Sequence, residues 1–333
     1  MASLFRKFGL ILLSVFLGIV SLWTIGAIYY DGPFSGAPNA ALSLLWLGLL
    51  IAGLSRFRKT KQRLCIWLAA FLVVFLPWLA KSPSNTRDWA EEFARVPDAT
   101  VEGDAITITN FRNFDYGPDG KPIPRWETRT VHLSNLKAMD FFMTYWGSDL
   151  IGHPMFSFDF GPEGHVVFSI ESRREKGETY GVLSGLYKQF ELIYIASAES
   201  DVVRVRINFR ENEDVWLYRL QLAEATPRSR LLEYIHGIRD AAKKPRFYNS
   251  ITANCTTAVR AQLTNKDRHS LDYRILANGK LDQLFSERHL LVNPPVFTEL
   301  RKKSHINPAA NAHPEPATFS EVIRKGLPGF QSN

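Results

Sequence analysis

Cys255 sits in the stretch YNSITANCTTAVRAQL, residues 248–263, which reads as a loop running into a helix. Asn254, or a neighbouring Thr, suits the N-cap position, and that places the thiol in the first helical turn. Unpaired backbone N–H groups and the helix dipole there stabilise a thiolate and lower its pKa. Without such help a thiol is only about a few per cent ionised at neutral pH. A thiolate nucleophile needs a base, and His153 opens the first strand of a hairpin formed by PMFSFDF, the turn GPEG and HVVFSIES. Pairing across that turn sets Phe160 against His165, which puts His153 opposite Ser172, with Glu171 one residue away. Glu171 is the candidate to orient the imidazole, the third role in a nucleophile–base–orienter set. A one-residue slip decides whether Glu171 or Ser172 shares the histidine's face. The competing readings are a buried structural cysteine and a solvated loop histidine. His132, His165 and His236 are weaker candidates, and His269, His289, His305 and His313 lie in polar, loop-like surroundings.

No G-x-S-x-G elbow, Walker loop, H-E-x-x-H or paired-cysteine site occurs, so neither a metal nor a cofactor is expected. The run ESRREK, residues 171–176, reads as a solvated face, or as arginines 173 and 174 meeting a phosphate head group.

These residues need an address. Of 40 Lys+Arg and 33 Asp+Glu in 333 residues, residues 1–82 hold eight basic groups and one acid, so the remainder is formally neutral. The basic excess lies among long apolar runs, which excludes a nucleic-acid-binding domain. Three uncharged stretches, Gly9–Tyr30, Asn39–Leu54 and Leu64–Ala80, are long enough for membrane spans at about 1.5 Å rise per residue. Arg6 and Lys7 precede the first, and RFRKTKQR between the second and third carries five basic residues. By the positive-inside rule the N-terminus and that loop are cytoplasmic, and the chain after about residue 82 is exported. Tyr29, Tyr30, Trp78 and Trp89 stand where an outer aromatic belt would lie. Two domains follow: residues 1–82 in the membrane and residues 83–333 outside it. The exported part holds one cysteine and can form no internal disulfide.

The exported part reads as α+β with an antiparallel sheet. Residues 88–95 suggest a short helix, and residues 100–110, 126–133, 138–145, 202–209 and 215–222 suggest strands. Residues 226–242 form a helix with Pro227 in its first turn and Leu231, Leu232, Ile235 and Ile238 as its stripe. From about Leu291 the chain looks mainly irregular, apart from a helix near 319–325.

Three blocks, GHPMFSFDFG, SIESRREKGETYGVLSGLYKQFELIYIAS and FYNSITANCTTAVRAQL, resemble the Lnb-type N-terminal periplasmic domain family, named for a bacterial lipoprotein N-acyltransferase. The likeness spans most of 88–330 and includes the terminal FSEVIRKGLPG. The order of histidine, then cysteine near a helix start, is also similar to permuted papain-like (NlpC/P60-type) enzymes. The resemblance implies a papain-like thiol acyltransferase at the bacterial inner membrane, with Cys255 as nucleophile, His153 as base and Glu171, Arg173 and Arg174 as its charged block. The candidate substrate-binding residues are Arg173, Arg174, Tyr248 and Asn254. A phospholipid would donate the acyl chain and a lipoprotein would accept it. A cysteine hydrolase using the same pair and a non-catalytic membrane-tethered binding module are the alternatives.

Overall fold

A computed structural model describes residues 2–223, 225–254, 257, 272–275, 278–292 and 296–330. Backbone contacts divide the chain into two units: Met1–Pro83 with Tyr180–Phe190, and Ser84–Thr179 with Glu191–Asn333.

The first unit holds helices α1 (Ala2–Asp31), α2 (Ala37–Arg56) and α3 (Thr60–Ala80). All three are long and apolar enough to cross a membrane. Their outward faces stay apolar and exposed, as lipid-facing helices require. Polar side chains turn inward instead. Asn39 ties the α1–α2 turn through Tyr29 O and Phe34 O, and Trp67 Nε1 donates to Ser21 Oγ.

The second unit is built on one long sheet. Its strands are β1 (Asp98–Glu102), β2 (Ala105–Arg112), β5 (Trp126–His132), β6 (Ala138–Trp146), β7 (Gly152–Asp159), β8 (His165–Arg173), β9 (Glu191–Ser197) and β10 (Glu213–Arg219); β3 (Asp115–Tyr116) and β4 (Pro122–Ile123) pair separately. The order is β1-β2-β9-β8-β7-β6-β10, with β5 also on β2. Pairing is antiparallel except at β2 and β9, which meet in parallel at Arg112 and Ser197. The α+β expectation therefore holds with one parallel contact.

Several local expectations change. Residues 100–110 are not one strand: Gly103, at a φ of 61° that favours glycine, turns β1 back onto β2. Residues 88–95 hold only a 3₁₀ turn at Glu91–Phe93. Residues 202–209 alternate like a strand but form two short helices, α4 (Glu199–Val202) and α5 (Arg204–Asn208). The alternation misleads because Arg204 and Arg206 are buried ion-pair partners, not the solvent-facing half of a strand. Beyond Leu291 the expected helix is present at Phe319–Val322, but helices also form at Phe297–Lys303 and Asn307–Ala312, and the stretch buries Ile306, Ala310, Phe319 and Ile323; a further helix spans Leu281–Glu287.

Alternation gives the sheet two distinct faces. One carries Phe141, Phe156, Phe158, Phe168 and Tyr194 and packs on α6 (Ala225–Lys243) through Leu231, Tyr234, Ile235 and Ile238. The expected α6 stripe is thus mostly buried, although Leu232 points outward at 37% exposure. The other face carries Phe142, Met155, Val167, Val215 and Leu217 among buried polar residues, under α4, α5 and the terminal helices. Trp89 belongs to this second unit and is buried, so it is no part of a membrane belt.

Candidate functional site

The hairpin of β7 and β8 sets the site. Asp159 pairs with His165, and Phe160 lies inside the turn, where its N–H donates to Gly164 O. A 3₁₀ turn at Gly161–Glu163, between positive-φ Gly161 and Gly164, takes up that residue. The expected register was therefore off by one. Continuing the observed register, Glu171 and not Ser172 stands across from His153.

His153 is 7% exposed, and its Nε2 faces β8. Its Nε2 lies 2.7 Å from Ser169 Oγ and 3.0 Å from Glu171 Oε1, while the Ser169 hydroxyl donates to Glu171 Oε1 at 2.6 Å. A carboxylate only accepts, so the serine's hydrogen is committed to Glu171 and its oxygen accepts from Nε2–H. This fixes the tautomer with Nδ1 as the lone-pair nitrogen of the neutral ring. Glu171 also accepts from Arg206 Nη2 at 2.7 Å, and Arg206 Nη1 contacts Glu213 Oε2 at 3.2 Å. Burial would raise the Glu171 pKa, but the charges of His153 and Arg206 and the hydrogen bonds from His153 and Ser169 outweigh it. The carboxyl is held well below its ordinary value. At neutral pH it is therefore an anion aimed at the histidine.

Neither Ser169 nor Arg206 stood out in the sequence. Ser169 lies two residues before Glu171 on the same strand face, which correct register would have shown. Arg206 was hidden by the strand-like pattern of α5.

The cysteine block begins at the same end of the sheet. Arg173, next on that face after Glu171, pairs with Glu191 at the start of β9, and Phe247 bridges Glu191. The loop then closes on itself between Asn249 and Ala253. Asn254 Oδ1 accepts from the Thr257 N–H at 2.9 Å, and Thr257 Oγ1 accepts from the Asn254 N–H at 2.8 Å. This reciprocal pair has the hydrogen-bond pattern of a capping box. Cys255 itself lies outside the described residues. Tyr248 and Asn254 are both buried, at 8% and 4% exposure.

The structure takes Arg173 out of the head-group-facing set. It is 1% exposed, its guanidinium stacks 4.1 Å over Trp89, and it donates to Phe93 O, Ala94 O and Asn85 Oδ1. Burial lowers its pKa to about 10. Arg173 clamps residues 85–94, because a charge so deeply placed must spend its donors internally. Arg174 is partly exposed, lies over Phe93 and reaches Glu92 at 3.4 Å.

A cleft of about 360 Å³ between α6, the start of β9 and residues 246–253 is walled by Leu192, Tyr194, Gly237 and Phe247. Leu192 and Tyr194 project from the aromatic face, so this cleft opens opposite the His153 side of the sheet.

No curated protein and no solved structure matches the chain. Three membrane-capable helices precede a domain in which His153, Ser169, Glu171, Arg206 and Asn254 all fall within one matched segment: residues 123–280 match the family of the Lnb N-terminal periplasmic domain, the family that the sequence motifs resemble.

Proposed function

We propose that the protein is an inner-membrane cysteine acyltransferase whose second unit is periplasmic. It would carry an acyl chain from a phospholipid through a Cys255 thioester to an amine, such as the N-terminus of a lipoprotein. The observation that carries this reading is the His153–Ser169–Glu171 relay, in which the histidine and the serine are buried. The strand end that carries it is the one at which Phe247 bridges Glu191, and the segment that holds Cys255 follows from there.

In the first step the Cys255 sulfur attacks the ester carbonyl carbon, and the carbon–oxygen bond to glycerol breaks. His153, protonated by the thiol, returns that proton to the departing lysophospholipid oxygen. In the second step an amine nitrogen attacks the thioester carbonyl and the carbon–sulfur bond breaks. The amine's surplus proton passes through His153 to the sulfur, which restores the resting pair. Glu171, kept ionised by Arg206, stabilises the imidazolium formed in both steps. The three spans would keep lipid-anchored reactants at high effective concentration.

The test is the intact mass of the full chain after incubation with phospholipid vesicles. An added acyl mass that localises to Cys255, is discharged by an amine and is absent in Cys255→Ala is expected. Release of free fatty acid without amide product would instead make the protein a hydrolase. No adduct in the wild type would remove the thioester.

A further inference from the structure

We propose that residues 180–190, the connection between β8 and β9, form a second membrane contact: a short interfacial element pegged into the spanning helices by Tyr187 and turned toward the acyl chains through Val182 and Leu183. This stands independently of the acyl-transfer reading, because every contact it uses lies within the first unit.

The peg is defined by packing. The Tyr187 ring stacks on Tyr30 at 5.1 Å and lies 6.3 Å from Trp23, and Trp23 meets Trp78 edge-on at 4.9 Å. Gly26 supplies the notch, since a Cβ there would collide with the Tyr187 hydroxyl. Gly26 precedes Asp31, the last residue of α1, by five residues and Trp23 precedes it by eight, so the ring sits about 8–12 Å below the helix end. The uncharged run of α1, Gly9–Tyr30, is 22 residues long and thus roughly 33 Å, against a hydrocarbon thickness of about 30 Å. Shared between both ends, that surplus leaves Asp31 about 3 Å outside the hydrocarbon and Tyr187 inside its boundary.

A segment can enter such a medium only if its polar groups are satisfied. Here the chain turns back on itself: Gly185 N–H donates to Gly181 O, Leu186 N–H to Leu183 O and Tyr187 N–H to Ser184 O. The Ser184 hydroxyl donates to Gly181 O. Lys188 then fastens the strap to the helix ends. Its N–H donates to Asp31 Oδ2, and its Nζ reaches Trp78 O, Leu79 O and Lys81 O at 2.8, 3.1 and 2.9 Å. A cation on the last carbonyls of α3 also suits the helix dipole. Asp31, with a side chain 2% exposed, accepts from Trp78 Nε1 and pairs with Lys81 as well. What remains outward is apolar: Val182 is 47% and Leu183 65% exposed. Their neighbours in this unit are helices whose apolar faces require lipid, so the same solvent is continuous with the strap.

The experiment places a nitroxide at position 183 (Leu183→Cys, in full-length Cys65→Ser/Cys255→Ala protein) in phosphatidylethanolamine–phosphatidylglycerol vesicles. Relaxation by oxygen should exceed relaxation by an aqueous nickel chelate. The reverse should hold at Lys121→Cys, whose side chain is 81% exposed in the other unit. Equal nickel access at 183 and 121 would overturn the proposal, and Val182→Cys gives the same readout if Leu183→Cys does not fold. Gly26→Leu, which evicts Tyr187, should raise nickel access at 183 several-fold. No change there would overturn the peg.

Discussion

On one face of the central sheet Phe156, Phe158 and Phe168 meet Tyr234 of α6, with Phe141 against Phe156 and no charge among them, whereas the other face buries Asp140, His153, Arg173 and Glu199 and half-buries Glu171. The aromatic face stabilises by area and close packing, which are insensitive to pH. The charged face repays desolvation only through paired geometry, so its contribution depends on every partner being present. Within that face two clusters contrast. Arg324 bridges Asp140 and Glu199, with Arg219 2.7 Å from Asp140, all beneath the terminal helices. The His153–Glu171–Arg206 cluster lies at the sheet end and includes the one partner whose ordinary pKa is near neutral. A buried ion cluster of the first kind fixes the fold, and one of the second kind also holds a proton in place.

That contrast can be broken from either side. Phe158→Ala, on the aromatic face, should cost about 3–5 kcal/mol by cavity formation at all pH values, read from the unfolding midpoint of the full chain in detergent. Arg324→Leu leaves two buried carboxylates without their shared cation and should cost about 3–4 kcal/mol near neutral pH. Its deficit should shrink on acidification. Burial opposes the charged form of Glu199, but Arg324, the charge of His165 and the Ser157 hydroxyl bring its pKa to about 2 in the wild type. The wild type's advantage is therefore complete above the unfolded value of about 4.3 and lost as pH falls toward 2. A deficit of equal size at pH 7 and pH 2.5 would end this account.

Glu171→Gln should separate the two clusters. It removes a carboxylate that is ionised in the native state, so about 1–3 kcal/mol should disappear at neutral pH and less at low pH. Reactivity should fall further than stability does. Alkylation of Cys255 near pH 7, in a Cys65→Ser background, should slow by tenfold or more, because the imidazolium loses its anion. A destabilised variant with unchanged alkylation would reduce Glu171 to a structural ion. Asn254→Ala removes one half of the capping box and should cost about 1 kcal/mol, the smallest of these effects, measured by the same unfolding midpoint.

Local chemistry was legible where short-range physics decides it. Uncharged runs announced α1, α2 and α3, Pro227 and its stripe announced α6, and Asn254 announced a capping pattern, seen in its reciprocal hydrogen bonds with Thr257. The hairpin was legible but its register was not, because the fold of Phe160 into the turn depends on Gly161 and Gly164 adopting positive φ. Arg206 was illegible for a different reason. Alternating Val and Arg suits a half-exposed strand, and only Glu171 and Glu213, brought near by the tertiary fold, make two buried arginines on a short helix affordable. Trp89 and Arg173 likewise looked like interface and surface until they packed on each other.

By itself, then, the sequence determined the membrane spans, the strand-rich second unit and the identity of a histidine with an acid nearby. These follow from hydropathy, alternation and spacing along one chain. The tertiary structure alone decided which acid faces His153, which cation keeps that acid ionised, and that residues 180–190 pack with the spanning helices. Those outcomes depend on pairing register and on distances between residues far apart in the chain, and no local pattern encodes either.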